Sequence, residues 1–289
     1  MSAILFINFN YPMKSNIKHT RPLAVIMSLY KGDLFPYAKA AIDSIFAQTF
    51  ANFDLYICID GNIAEDIDTY IKSLPSDNLF IYKNETNLGL AKSMNRLLAE
   101  ILPNPQYLYI ARMDADDINA PERFEKQVSF LKTNKEIDCV GTWAIEIDAN
   151  GNEYFKKQMP VSHAECFDFF SKRDCMIHPT VMFRKSYFEK AGLYPEDTYF
   201  GEDTMMWAQG FAARCQFSNL PEYLYYFRLN EQFFERRRGI KHAKSIWNLR
   251  CKVNKMLHYG LKAYLYAMAY ATAKLMPTKV LDMIYKKAR

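Results

Sequence analysis

A chain of 289 residues, half of them hydrophobic and fifteen per cent aromatic, holds enough apolar material for a full-sized core, which excludes intrinsic disorder over most of its length. Its net charge of +5 hides an asymmetry: residues 236–289 carry fourteen Lys and Arg against one acid, Asp282, a surplus of thirteen, so the preceding residues carry a deficit of eight. Six scattered cysteines without a Cys-x-x-Cys pair exclude a disulfide framework and fit a reducing, cytoplasmic setting, and no stretch reaches the roughly 18 uninterrupted apolar residues of a spanning helix.

Residues 1–20 lack a charged leader before their short apolar run and a small-residue cleavage site after it, so a flexible extension is expected rather than a signal peptide. Residues 23–29 (LAVIMSL) predict a buried strand feeding a loop at Tyr30-Lys31-Gly32-Asp33. In 36–48, Ala40, Ala41, Ser44, Ile45 and Gln48 recur at helical spacing. Leu55 to Ile59 predicts a second strand, stopped by Asp60-Gly61-Asn62 and followed by a helix with Ile63, Ile67 and Ile71. Leu79 to Tyr82 is a third strand, Leu88 to Ile101 a helix and Tyr107 to Arg112 a fourth strand. This alternation predicts βαβ units and a parallel sheet, with ligands expected at the strand C-termini. Asn119, with Pro121 and Glu122 after it, is expected to cap the next helix. Residues 139–147 predict a strand, 148–151 a hairpin turn and 153–158 its return; beyond Pro160 the pattern is less regular.

The densest chemical signal is Arg112-Met113-Asp114-Ala115-Asp116-Asp117. Three carboxylates within four positions repel one another unless a cation compensates them, and a divalent metal is the economical compensation. Mg²⁺ or Mn²⁺ takes one or two protein carboxylates and fills its shell with water and phosphate oxygens, which suits Asp114 and Asp116 beside an open loop. The competing reading makes the cluster an acidic turn. The chain has no P-loop and no Gly-x-Gly-x-x-Gly after its first strand, which removes P-loop NTPases and argues against dinucleotide oxidoreductases. A metal held by Asp116 would instead neutralise a diphosphate and stabilise it as a leaving group. His163-x-x-Cys166 and Cys175-x-x-His178 have zinc-like spacing but stand outside any zinc-module order.

Taken in order, Val25-Ile26-Met27-Ser28-Leu29-Tyr30, Ser44-Ile45-Phe46-Ala47-Gln48-Thr49, Ile57-Cys58-Ile59-Asp60-Gly61, the Asn87 to Asn95 segment, Asp114-Ala115-Asp116-Asp117, Pro121, Arg123-Phe124, His178-Pro179-Thr180, Gly201-Glu202-Asp203 and Arg236-Arg237-Arg238 resemble a family 2 glycosyltransferase. The resemblance runs through most of 21–238. It implies the GT-A fold, an α/β, Rossmann-like, mostly parallel sheet flanked by helices, and an inverting enzyme of the bacterial polysaccharide or lipopolysaccharide type. A nucleotide-sugar donor, with UDP as the expected nucleotide, and a glycan or lipid-linked acceptor follow from it. Position by position, Ser28, Tyr30 and Asp60 would hold the nucleoside, and Asn87 and Lys92 would lie near the nucleotide. Asp114 and Asp116 would hold Mn²⁺ or Mg²⁺, with Asp114 also touching the nucleotide-sugar, and His178 would lie near a sugar. Asp203 would be the catalytic base, with Glu202 as its neighbour. Trp143, Trp207 and Tyr199 would shape the pocket.

Plainer readings stand beside these. Asp60 and Asn87-Leu88-Gly89 are also turn residues, His178 before Pro179 is also a structural histidine, and acids at 202–203 also suit a helix start. The chain departs from the family where it has Ile59-Asp60 instead of two carboxylates, and Arg228-Leu229-Asn230 where a His is frequent. The rival enzyme reading is a nucleotidyltransferase, whose glycine- and lysine-rich loop is missing. The non-enzyme rival is a silent binding module, which Asp116 and Asp203 together oppose.

A helical appendage is expected over 239–289. Leu261, Leu265, Met268, Ala271 and Leu275 lie on one stripe flanked by Lys262 and Lys274, with Tyr259, Tyr264, Tyr266 and Tyr270 nearby. Basic amphipathic segments of this kind bind anionic membrane surfaces, here as a peripheral attachment to the inner face of the cell membrane. The alternative is a helical hairpin packed on the catalytic domain or on a second subunit, as in a homo-oligomer. No nucleic-acid-binding module accompanies the charge. On the membrane reading, a chain ending near Arg238 stays soluble.

Overall fold

The computed structural model describes residues 21–197, 201–229 and 239–277. The expected extension at 1–20, Tyr199 and the Arg236-Arg237-Arg238 run lie outside the described residues. The first half alternates as predicted: β1 (Leu23–Tyr30), α1 (Phe35–Phe46), β2 (Phe53–Asp60), α2 (Glu65–Ser73), β3 (Leu79–Asn84), α3 (Leu90–Ile101) and β4 (Tyr109–Met113). β1 pairs in parallel with β2 and with β4, and β2 with β3. β1 and β2 read as unbroken apolar runs because both of their faces are covered. Val25, Met27 and Leu29 join one hydrophobic cluster, while Ala24 and Ile26 join the other.

The second half is mixed. β5 (Ile118–Asn119), α4 (Arg123–Thr133), β6 (Cys139–Ile147), β7 (Glu153–Lys157), α5 (His163–Phe170), β8 (Met182–Arg184), α6 (Ser186–Ala191), α7 (Glu202–Ala212) and β9 (Phe217–Arg228) complete a sheet ordered β3-β2-β1-β4-β8-β6-β9-β5, with β7 on β6. β8 runs antiparallel to β4 and β6, whereas β9 runs parallel to β6. Pro221 sits where the β6–β9 register slips between Thr142 and Trp143, at a bulge that tolerates a residue without an N–H.

Asn119 does not cap α4. It lies in β5 opposite Tyr225, its side chain accepts from Arg123 at 2.5 Å, and the cap position falls to Glu122. Past Pro160, Ser162 and Glu165 form a capping box that starts α5.

Two further helices follow, α8 (Ile240–Met256) and α9 (Leu261–Ala273). Leu249 and Val253 of α8 belong to the cluster that also holds Met205, Met206 and Trp207 of α7. Arg250, 2% exposed, donates to Phe170 O at 3.1 Å and to Asp174 at 2.9 Å. Cutting the chain near Arg238 would strip these groups from the body, so the packing opposes the expectation that such a chain stays soluble.

Candidate active site

The C-terminal ends of β1, β2 and β4 lie side by side: Tyr30 is in register with Asp60, and Met27 with Met113, one residue before the acidic cluster. Asp60 is 3% exposed. Its Oδ1 accepts from Asn84 Nδ2 (2.9 Å) and Leu88 N (2.8 Å), and its Oδ2 accepts from Gly89 N (2.9 Å). The carboxylate therefore pins the Asn87-Leu88-Gly89 turn that opens α3. Gly61 makes the approach feasible, with φ +85° and with the Asn87 amide 2.9 Å from where a Cβ would stand. Asn87 and Lys92 are exposed at this rim, and Ser28 and Tyr30 are half-buried.

The carboxylates of Asp114, Asp116 and Asp117 present oxygens that lie within 4.8 Å of one another. Asp114 pairs with Arg112, whose side chain is 2% exposed. Asp117 Oδ1 accepts from Arg228 N at 2.7 Å; its Oδ2 is buried with no hydrogen bond of good geometry, although the Tyr225 hydroxyl nearby eases its charge. Burial, and then the Asp114 charge, pushes the Asp116 carboxyl up to about 6. Burial, with Asp116 and Asp114 adding to it, raises Asp117 further. An under-satisfied buried oxygen among converging hard carboxylates is a donor set that fits a divalent cation. Among the described residues no other group of His, Cys, Asp or Glu converges this way. The zinc-like spacings are spent otherwise: His163 Nδ1 accepts from Phe217 N at 3.1 Å, and His178 bonds Tyr194.

Two participants were not legible as such in the sequence. Asp33 accepts from Tyr30 N at 2.8 Å, and burial, reinforced by Asp116 and Asp114, pushes it up to about 7. It therefore joins the Tyr30 rim to the acidic cluster, and its only signal was its place in the loop after β1. Arg228 stands where the resemblance leads one to expect a His. Its Nε donates to Asp116 O at 2.9 Å, its Nη1 to Asp148 O and Ala149 O, and its guanidinium lies over Tyr37 at 4.3 Å. It braces the acidic loop against the β6–β7 hairpin and α1.

On the other side, His178 is 8% exposed; its Nε2 lies 3.0 Å from the Tyr194 hydroxyl, and its ring stands edge-on to Trp207. Burial, and then the Arg112 charge, holds its pKa well below the usual range, so the ring is neutral. Trp207, fully buried, supports His178 rather than lining a pocket. The Tyr194 hydroxyl has its pKa raised by burial and feels the charges of Arg112, Asp203 and Glu202, so the start of α7 shares its electrostatic surroundings.

Glu202 and Asp203 occupy the first turn of α7, and both the helix-start reading and the site reading fit that position. Gly201 before them has φ +89° and would drive a Cβ to 2.2 Å from Leu249 of α8. Thr204 Oγ1 donates to Asp174, at 2.9 and 3.0 Å, the same carboxylate that pairs with Arg250. Arg250→Ala leaves that pair broken and is expected to destabilise the protein by about 3 kcal/mol, toward the low end for breaking a buried pair because Asp174 is one-third exposed. It should also lower turnover by loosening the turn that holds Asp203. Urea unfolding checks the first effect; an unchanged midpoint would show that the pair holds nothing.

Comparison with known proteins is consistent with this geometry. The family description "Glycosyl transferase family 2" matches residues 24–192. The chain is 31% identical over 271 residues to the amylovoran biosynthesis glycosyltransferase AmsE of Erwinia amylovora, covering 92% of this chain and 98% of that one. It is 26% identical over 277 residues to an Escherichia coli UDP-Gal:alpha-D-GlcNAc-diphosphoundecaprenol beta-1,3-galactosyltransferase, covering 93% and 96%. Among solved structures it resembles S. aureus TarS 1–349 in complex with UDP-GlcNAc (TM-score 0.59, 17% identity, 90% of this chain and 83% of that one). It also resembles the mannosyltransferase PcManGT of Pyrobaculum calidifontis in complex with GDP-Man and Mn²⁺ (TM-score 0.60, 14% identity, 92% and 80%). The fold is thus the GT-A fold, and among the described residues no helix is long and apolar enough to cross a membrane.

Proposed function

We propose, on the premise that the chain belongs to glycosyl transferase family 2, that it performs an inverting, metal-assisted transfer of a sugar from a UDP-sugar to a hydroxyl of a glycan or lipid-linked glycan. The chain is a glycosyltransferase; donor, acceptor, stereochemistry and residue roles are the proposal. The observation that carries it is the gathering of Tyr30, Asp33 and Asp60 with the Asp114, Asp116 and Asp117 carboxylates at the C-terminal ends of β1, β2 and β4, with Asp203 close enough for its charge to be felt at Tyr194. Relatives and structural neighbours named for UDP-Gal and UDP-GlcNAc support the uridine nucleotide, and the diphosphoundecaprenol relative supports a lipid-linked acceptor.

In this reading Ser28, Tyr30 and Asp60 face the nucleoside from the ends of β1 and β2, and Asn87 and Lys92 flank it. Asp60 has a lone pair left on Oδ2 for a base-edge N–H while it pins the Asn87 turn. Asp114 and Asp116 would hold Mn²⁺ or Mg²⁺, which neutralises charge on the departing diphosphate. Arg112 keeps Asp114 oriented, and Arg228 holds the loop through Asp116 O and Asp117. His178, kept neutral, can offer a hydrogen bond to a sugar hydroxyl without adding charge. Asp203 takes the proton of the acceptor hydroxyl as that oxygen attacks the anomeric carbon opposite the leaving group, which inverts the configuration.

The test is UDP release from UDP-sugars with and without Mn²⁺, at several pH values. A metal must displace the proton from its ligand Asp116 and is favoured by the negative charge of neighbouring Asp33, so Mn²⁺ affinity is expected to fall as pH drops through 7 and 6, where Asp33 and then Asp116 take up protons. The linked effect on stability has the opposite sign. These folded-state values are raised, so without metal their contribution is fully present below the unfolded carboxylate range and is lost as pH rises through 6 and 7. Metal-independent UDP release with a flat pH response would remove the metal from the reading.

A further inference from the structure

Helix α9 turns its small residues inward and its large apolar residues outward. Ala263, Ala267 and Ala271, four residues apart, are buried where α9 packs on α8. Leu261, Leu265 and Met268 are 77%, 54% and 52% exposed, and Leu275, one turn beyond, is 55% exposed. Their spacing places Leu261, Leu265 and Met268 on one stripe beside the alanine face, and Leu275 follows just past the end of the helix. Ala271, three residues after Met268, borders this stripe but is 8% exposed, so the exposed part of the stripe is large and apolar. Something must cover a face of this kind, because isolated exposed leucines are ordinary but an aligned set is not.

The surroundings select the occupant. Lys262 is exposed beside the stripe, Tyr266 and Tyr270 are 45% and 38% exposed, and the Lys274 ammonium lies 4.7 Å from the centre of the Tyr270 ring. Neither α8 nor α9 contains an acid. A second copy seated on this face would bring two strongly basic segments together, whereas an anionic bilayer offers the complementary charge and an apolar layer at the right depth. We propose that α9 lies flat on an anionic lipid surface, with Leu261, Leu265, Met268 and Leu275 in the acyl boundary and the lysines among the head groups. Among the described elements α8 packs against both α9 and α7, so this attachment holds the Asp203 turn near the bilayer. In that respect it deepens, and rests on, the reading of a lipid-linked acceptor.

The test uses the full chain and no sugar: sedimentation with vesicles of phosphatidylcholine mixed with phosphatidylglycerol, and with vesicles of phosphatidylcholine alone. The protein is expected to bind the mixed vesicles, and less as salt shortens the Debye length from about 10 Å at 0.1 M to about 3 Å at 1 M. A combined Leu261→Ser, Leu265→Ser and Met268→Ser variant should partition at least about tenfold less, since three apolar side chains no longer enter the boundary. The changes are on the surface, so its melting temperature and UDP release in the absence of lipid should match the parent. Wild-type protein that ignores mixed vesicles, or a variant that binds them as well as wild type, overturns the proposal. So does a variant that converts a dimer to a monomer with vesicle binding unchanged, since a second copy would then be the cover. Intact vesicle binding without UDP release from any UDP-sugar would strike the proposed reaction instead.

Discussion

Asp203→Asn is expected to bind donor normally and to turn over about 10² to 10⁴ times more slowly, the usual worth of a general base. The substitution isolates proton transfer because the amide keeps the shape and can still accept the Thr204 N–H that Asp203 Oδ1 accepts at 2.8 Å. The Thr204–Asp174–Arg250 connection that fixes this turn does not involve the Asp203 carboxylate, so the fold should survive. Single-turnover measurement separates the effect on chemistry from the effect on binding. Near-normal turnover would move the role to Glu202, its neighbour on the same turn.

The first half of the fold was legible because its signals are local. β1 and β2 are short, doubly buried runs that stop at Gly32 and Gly61, and α1 to α3 repeat their apolar residues with helical period. The second half was less so, because β8 is three residues long and β9 carries Pro221 and a register slip, features that depend on partners far along the chain. The same distinction applies to the site. Asp114, Asp116 and Asp117 stand together in the sequence, and the structure converges their oxygens. Asp33 approaches them only because β1 and β4 are adjacent, and Arg228 reaches them only because β9 runs past the same loop. The tail illustrates a further limit. Charge and composition described residues 239–289 as one amphipathic unit, whereas among the described residues packing ties α8 to the core through Leu249 and Val253 and leaves α9 with an outward row of large apolar side chains.

Within the acidic cluster, neighbouring substitutions should separate binding from stability. Asp116→Ala removes a half-buried carboxylate whose charge the apo fold disfavours, while Arg228 Nε still finds the residue 116 carbonyl, so the variant should be at least as stable as the parent without metal. It should nonetheless lose metal-dependent donor binding. Asp117→Ala removes the acceptor of Arg228 N as well, and should destabilise the protein by about 1–3 kcal/mol, the cost of a buried donor left unpaired. A ligand that binds only the folded state raises apparent stability by about 2.7 kcal/mol at a hundred times its Kd, so thermal unfolding reports both effects. The decisive measurement is therefore the melting temperature of the parent chain and of Asp116→Ala with UDP-, GDP-, dTDP- and CMP-sugars, each with and without Mn²⁺. The account predicts a rise for the parent with UDP-sugar and Mn²⁺ together, and none for Asp116→Ala; an equal rise without metal, an unchanged rise in Asp116→Ala, or no rise with UDP-sugar would contradict it.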